Sequence, residues 1–491
     1  PLIGRLLDSD RRVGLGNPSL SLLLNVESIR LQALKESLSR SLPDSGPADQ
    51  PVPQPIAWSG PKIPAAEAAA VIEPIASHVP EECFYVRFGS FDNYLWLREL
   101  MDEYGGDIGR MVTARGHDAA VNQRLQDQLG LKESALAKLL GGQVISDVAM
   151  IGRDTYLREG AAFGVLFEAR NAALLRSDLM KQRRDALARL PEANGEMTNV
   201  EIAGRQVSLA ASADNRLRSF YVADGDYHLV TTSRAMIARF LETGQGGRPL
   251  AATPEFRLAR ETLPLDRDDT VFVYLSPAFF RGLMSPQYQI ELKRRMRAVT
   301  DLEILQMARW VARVEGHGES MAELIRAGLV PRNIDRRPDG SHPIQQRGEW
   351  VDSRRGARGT FTPIPDVELD AVTSAETADY QQIAAFHRAQ WDHMDPLIIA
   401  LKRFSLEEQG RERLRIEARM LPFDRQKYGR VTSIVGPPSQ MQLQPVAEDI
   451  ASIQLVLQGG LLRPGVGPHL LFLGLKDTHV PLDLGRSSLL R

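Results

Sequence analysis

Four times between residues 83 and 285 the chain runs from an apolar stretch through a short polar break into a helical stretch. The segments are CFYVRFGSFDNYLWLRELMDEYGG (83–106), GVLFEARNAALLRSDLM (164–180), YHLVTTSRAMIARFLETG (227–244) and TVFVYLSPAFFRGLMS (270–285). This unit constrains the fold more than anything else in the chain. A helix that starts at once after a strand folds back over it and needs a sheet face for its apolar stripe. Those stripes are Leu97, Leu100, Met101 and Tyr104 in the first unit, Ile237, Phe240 and Leu241 in the third, and Phe280, Leu283 and Met284 in the fourth. In many enzymes such a break holds a phosphate or a nucleophile, and that chemistry needs particular residues at one place. Here the break is Gly89-Ser90, Arg170-Asn171, Ser233 or Ser276-Pro277. Varied breaks with Ser233 and Ser276 as cap residues read as helix starts. The units at 84–104 and 271–284 are expected to hold equivalent places in two related halves, with Phe84-Tyr85-Val86 matching Val271-Phe272-Val273.

Between the units, short apolar runs alternate with turns at Ala203-Gly204 and Asp224-Gly225, a hairpin pattern. The expected class is therefore α+β: antiparallel meander sheets with helices packed on one face, repeated strand–turn–helix units, and a helical insert near 374–403. Thr373 and Glu376 form a capping box at the start of that insert.

Five regions are expected. Residues 1–42 form an N-terminal helical segment with Leu31, Leu34, Leu38 and Leu42 on one stripe. Residues 43–82 are a Pro-rich extended linker. Residues 83–328 make the α+β domain with its internal repeat, its last segment 286–328 continuing as helix to near Gly328; 329–370 are an Arg/Pro/Gly-rich connector, and 371–491 a helix plus a truncated β-rich C-terminal domain. A chain of 491 residues fits roughly three domains and a sizeable core.

A net charge of −2 supplies no global field for nucleic acid or anionic membrane. The arginines at 332, 336, 337, 347, 354, 355 and 358, near Trp350 and Phe361, allow a nucleic-acid reading. Offsetting acids at 335, 339, 349 and 352 favour a solvated loop or an Arg–carboxylate interface. The single cysteine, Cys83, opens an apolar run and reads as a buried thiol. No apolar run reaches the eighteen or so residues that cross a membrane. The chain opens on Pro1 without a signal-peptide pattern, so any signal or anchor would lie upstream of it.

Catalytic and metal motifs fare poorly. His387 and His393 in FHRAQWDHMDP sit about 120° apart around a helix, unlike a chelating i, i+4 pair, although Asp392 and Asp395 lie close by. Asp266, Asp268 and Asp269 lack the calcium-loop spacing. The glycine loops at 14–19 and 243–250 match no phosphate fingerprint, and EGHGES (315–320) reads as a turn. No catalytic, cofactor-binding or metal residue is assigned, and no cofactor is expected.

The segments FYVRFGSFDNYLWLRELMDEYGGDI, SDVAMIGRDTYLREGAAFGVLFEARN, HLVTTSRAMIARFLETGQGGRPLAATPEFRLARETLPLDRDDTVFVYLSP and WVDSRRGARGTFTPIPDVELDAVTSAETADY resemble a domain-of-unknown-function family of large bacterial envelope proteins, common in planctomycete-type genomes. The resemblance spans about residues 83–480. It implies a non-enzymatic protein that is exported or membrane-anchored, located in the cell envelope or periplasm. The expected function is binding or scaffolding with a protein partner. A hydrolase with a site dispersed in sequence, or a structural subunit of a larger assembly, are the alternatives.

Overall fold

The computed structural model describes residues 46–59, 63, 70–113, 121–131, 141–190, 195–346, 348–390, 393–406, 411–421, 451–457, 469–475 and 483–485. The leucine-striped segment within 1–42 lies outside them. The strands are β1 (Phe84–Arg87), β2 (Ile145–Gly152), β3 (Phe163–Ala169), β4 (Gly195–Ile202), β5 (Arg205–Ser212), β6 (Arg218–Asp224), β7 (Tyr227–Thr231), β8 (Val271–Leu275), β9 (Pro343–Gln346), β10 (Glu349–Asp352), β11 (Leu397–Leu406), β12 (Arg411–Met420), β13 (Ala451–Leu457), β14 (His469–Leu475) and β15 (Asp483–Gly485). The helices are α1 (Phe91–Thr113), α2 (Val121–Leu129), α3 (Ala172–Ala188), α4 (Arg234–Gly244), α5 (Pro254–Thr262), α6 (Pro277–Leu283), α7 (Pro286–Glu315), α8 (Met321–Arg326) and α9 (Ser374–Gln390).

The chain divides into two compact units. One comprises residues 22–99 and 119–421, the other 1–21, 100–118 and 422–491. The described part of the second holds a three-stranded antiparallel sheet, β13-β14-β15. The first holds a ten-stranded sheet in the order β12-β11-β8-β1-β2-β3-β7-β6-β5-β4. All its pairings are antiparallel, so the class is α+β.

The strand–turn–helix repeat is visible in the topology. β1 leads into α1 and later into the hairpin β2–β3. In the same way β8 leads into α6 and later into the hairpin β11–β12. β1 and β8 are antiparallel neighbours, with Val86 opposite Val273. The strand order outward from them, β1-β2-β3 and β8-β11-β12, is therefore symmetric about a two-fold axis perpendicular to the sheet at that pair. The matched residues share faces: Phe84 and Val271 enter one core, Tyr85 and Phe272 the other.

Helices cover both faces of the sheet, not the one face expected. Strand residues alternate between two apolar sets, so each face needs a cover. Val148, Val165, Phe167 and Val230 pack under α2, α3, α6 and α7. Ala149, Ile151, Leu166 and Leu229 pack under α4, α5 and the 3₁₀ turn Pro74–His78.

Three further segments differ from expectation. The helical insert ends at Gln390, and Leu397–Leu406 is strand β11. Pro396 closes the helical option there, and LIIALKRF pairs with β8. The helix expected to run on to Gly328 breaks at Gly316, a left-handed cap with φ 74°. The Pro-rich stretch is docked: Gln50 bridges Val372, and Ile75, Ala76 and Val79 are fully buried. Its Glu73 sits in the second core, where Arg260 Nε reaches it at 2.9 Å and Tyr85 Oη at 3.0 Å.

Candidate functional site

Arginine and carboxylate meet most densely where the 329–370 connector crosses α7. That helix presents Glu291, Arg294, Arg295, Asp301 and Glu303, and from Tyr288 to Leu305 none of its residues is exposed. A helix buried all round needs partners for its charges. The connector supplies them. Arg355, fully buried, donates to both oxygens of Glu291 at 2.7 and 2.9 Å and to Asp339 at 2.6 Å. Arg337 donates to Asp301 at 3.0 Å and to Asp352, and Arg358 pairs with Glu303. From α9, Glu376 takes Arg294 through two bonds of 2.6 and 2.8 Å. Burial works to raise the Asp339 pKa, but Arg355 and its hydrogen bonds outweigh that and hold it well below the usual carboxylate range. Of the two alternatives to nucleic acid, the arginines at 337, 355 and 358 take the Arg–carboxylate interface, and it is internal. Arg347 lies outside the described residues.

The helix starts behave as caps. Ser233 Oγ accepts from the Met236 amide at 3.3 Å and Ser276 Oγ from the Phe279 amide at 2.8 Å. Ser90 does the same for Asn93 at 3.2 Å. At α4 the anion position that a helix N-terminus offers is already filled. Asp366, 132 residues on, accepts from the Arg234 and Ala235 amides at 2.8 and 2.9 Å, and also from Ser233 and Arg218. The turn that could have cradled a phosphate holds the protein's own carboxylate.

One constellation was invisible in the sequence. Ser77 Oγ lies 3.1 Å from His78 Nδ1, and His78 Nε2 lies 3.3 Å from Asp224 Oδ2, 146 residues away. A hydroxyl, imidazole and carboxylate in line are the parts of a nucleophilic relay. Two features weigh against catalysis. Ser77 gives its proton to the Pro74 carbonyl at 2.6 Å. The nearby glycine loop has no free amide pair for an oxyanion: Gln245 and Gly247 donate to Glu242 and Gly246 to Thr243. His78 instead stacks on Tyr227 at 3.8 Å and ties Pro74–His78 to β6.

The remaining candidates resolve individually. His387 is buried on α9, and burial lowers its pKa to about 4. His393 follows the helix and pairs with Asp395 at 3.1 Å, while Asp392 lies outside the described residues. Among the described residues no group of three His, Cys, Asp or Glu side chains is placed to hold a metal. In EGHGES, Gly316 caps α7 and Ser320 opens α8 with a capping box to Glu323. Asp268 ends a 3₁₀ turn and Asp269 holds Arg267 at 3.1 Å. The loop at 14–19 lies outside the described residues. Cys83 is buried, and desolvation raises its pKa far above a thiol's usual value.

Sequence reading also missed Arg183. Among the described residues this buried guanidinium bonds neutral groups, Ser208 and Ser219 through side chain and backbone and the Met180 sulfur, and burial lowers its pKa to about 10. A longer-range signal than helical period would be needed to find it.

Beyond residue 305 the surroundings of α7 change. Met307, Trp310, Val311 and Val314 are exposed by 47, 57, 40 and 87%. They stand at i, i+3, i+4 and i+7, one stripe over two turns, opposite the buried Ala308 and Ala312. No helix among the described residues is long and apolar enough to cross a membrane. No protein-family model matches the chain, and neither a curated protein nor a solved structure matches it. Function therefore has to be argued from geometry.

Proposed function

We propose that the chain is a protein-binding scaffold whose contact surface is the bare stripe of α7, receiving an amphipathic helix of a partner. The observation that carries this reading is the exposure of Met307, Trp310, Val311 and Val314 on one helix face. Isolated exposed apolar residues are ordinary, but a contiguous stripe with a tryptophan at its centre fits an interaction surface. Helix-in-groove recognition reads anchors at this same i, i+3, i+4, i+7 spacing. The rest of the unit suits a rigid support, since its charges are held internally and its helix starts are capped. The envelope location that the resemblance implies belongs to the same proposal.

A photo-crosslinking residue placed at position 310 or 314, in cells that naturally produce the protein, tests it. The control is position 174, where Leu174 is exposed by 57% but lies outside the stripe. The expected result is a discrete crosslinked species from 310 and 314, absent from 174, lost in Met307→Glu, and recovered with the envelope fraction. Equal products at 174, or none at 310 and 314, would refute the reading.

A further inference from the structure

A second surface lies at the opposite extreme of secondary structure. β12 pairs with β11 along its whole length, from Leu397↔Met420 to Leu406↔Arg411, without a register shift. It ends the ten-stranded sheet, and among the described residues no strand lies on its other side. An edge strand carries a row of outward backbone donors and acceptors. Such edges are commonly blunted by proline, by a bulge, by shortness or by charge; β12 has no proline and no bulge and runs ten residues, so charge alone guards it and sets which strand it can accept.

Its two faces differ in chemistry. Alternation puts Leu414, Ile416, Ala418 and Met420 on one face, with Leu414 and Ile416 exposed by 40 and 66%. The other face carries Arg415, Glu417 and Arg419. There Glu417 is one carboxylate among three guanidiniums: Arg419 Nε at 2.7 Å, Arg267 Nη2 at 3.0 Å and Arg415 Nη2 at 3.9 Å. Arg267 has Asp269 as well, but Arg415 is 68% exposed and among the described residues has no carboxylate nearer than Glu417. Positive charge is in excess along the edge.

We infer that β12 receives an extended segment of another protein as an added strand, one that alternates acidic and apolar side chains. Backbone pairing supplies the attachment and the two faces supply selection. The acidic side chains lie over Arg415 and Arg419, and the apolar ones extend the row of Leu414 and Ile416. A second copy of β12 would bring Arg415 and Arg419 with only Glu417 between them to this face, so it offsets the positive excess less than an acidic strand does. The other edge of the sheet is a poorer receptor, because the Glu201 carbonyl of β4 already accepts from Arg234 at 3.3 Å.

The test uses labelled peptides matched in length to β12. One alternates glutamate and valine, one alternates lysine and valine, and one has the first peptide's composition in two blocks. Binding is read by fluorescence anisotropy and its location by hydrogen exchange of the β12 amides. The alternating acidic peptide should bind and slow exchange in β12. The double variant Arg415→Glu with Arg419→Glu should weaken it by about tenfold and favour the lysine peptide. If melting shows that this variant is unfolded, Arg415→Glu alone should shift preference in the same direction. Equal binding of the block peptide, no binding of any peptide, or binding without β12 protection would each overturn the inference. So would β12 protection that rises with protein concentration alone, which would assign the edge to a second copy.

Discussion

The two ends of α7 are one continuous helix with opposite fates. From Tyr288 to Leu305 it is enclosed, and its charges are met by Arg355, Arg337 and Arg358 of the connector and by Glu376 of α9. From Met307 to Val314 one face is bare and apolar. Burying charge demands a fixed partner for every group, so the first half must be locked to its surroundings. Exposed apolar surface demands nothing of the fold and remains open to another molecule. The contrast separates the part of the helix that supports from the part proposed to bind.

Arg355→Ala should break the enclosed half most severely. It strands Glu291 and Asp339 as buried carboxylates, and removing one partner of such a pair costs about 3–5 kcal/mol. A urea melt would show it as a lower midpoint, and a midpoint near that of the wild type would mean the pair is solvated. Leu305→Ala, next to that network and fully buried, should cost about 2–5 kcal/mol by cavity formation. Calorimetry that found less than a typical surface change would show that the site collapses or is wet.

Acid sharpens the comparison further. Burial, with Arg176 adding to it, lowers the His228 pKa to about 4 from 6.5, and burial does the same for His387. The folded state then binds fewer protons than the unfolded chain between those values, so stability falls as pH drops through that window. His228→Phe should flatten that slope in melts taken across it. Asp339 acts lower down, since its depressed pKa gives stability that is present above the usual carboxylate range and lost as pH falls below it.

Cap substitutions come next. Ser276→Ala should cost about 1 kcal/mol, and Ser233→Ala a similar amount plus the lost bond to Asp366. Trp310→Ser on the bare half should shift stability by no more than about 0.5 kcal/mol while abolishing crosslinking from position 314. A large loss of stability there would show that the stripe is covered in the folded protein.

What was legible in the sequence was local. The caps at Ser233 and Ser276 and the box of Thr373 with Glu376 are short-range hydrogen bonds, and they stand where residue type and spacing put them. The hairpins and the repeat followed from period and turn chemistry. The failures share one cause, which is dependence on distant partners. LIIALKRF carries apolar residues that suit either period, and only pairing with β8 makes it a strand. The connector shows no periodicity because its order comes from carboxylates on α7. Asp366 at α4 and Asp224 beside His78 are separated from their partners by more than a hundred residues.

A double-mutant cycle on Arg355 and Glu291 tests most directly whether the connector belongs to the core. Arg355→Met, Glu291→Leu and the double variant would be compared with the wild type in urea melts. If the pair is buried and mutually dependent, each single change should be strongly destabilising. The double change should then recover about 2 kcal/mol or more relative to the two singles added together. Strictly additive effects would mean that the two groups do not meet, and that the arginines of 329–370 lie free in solvent.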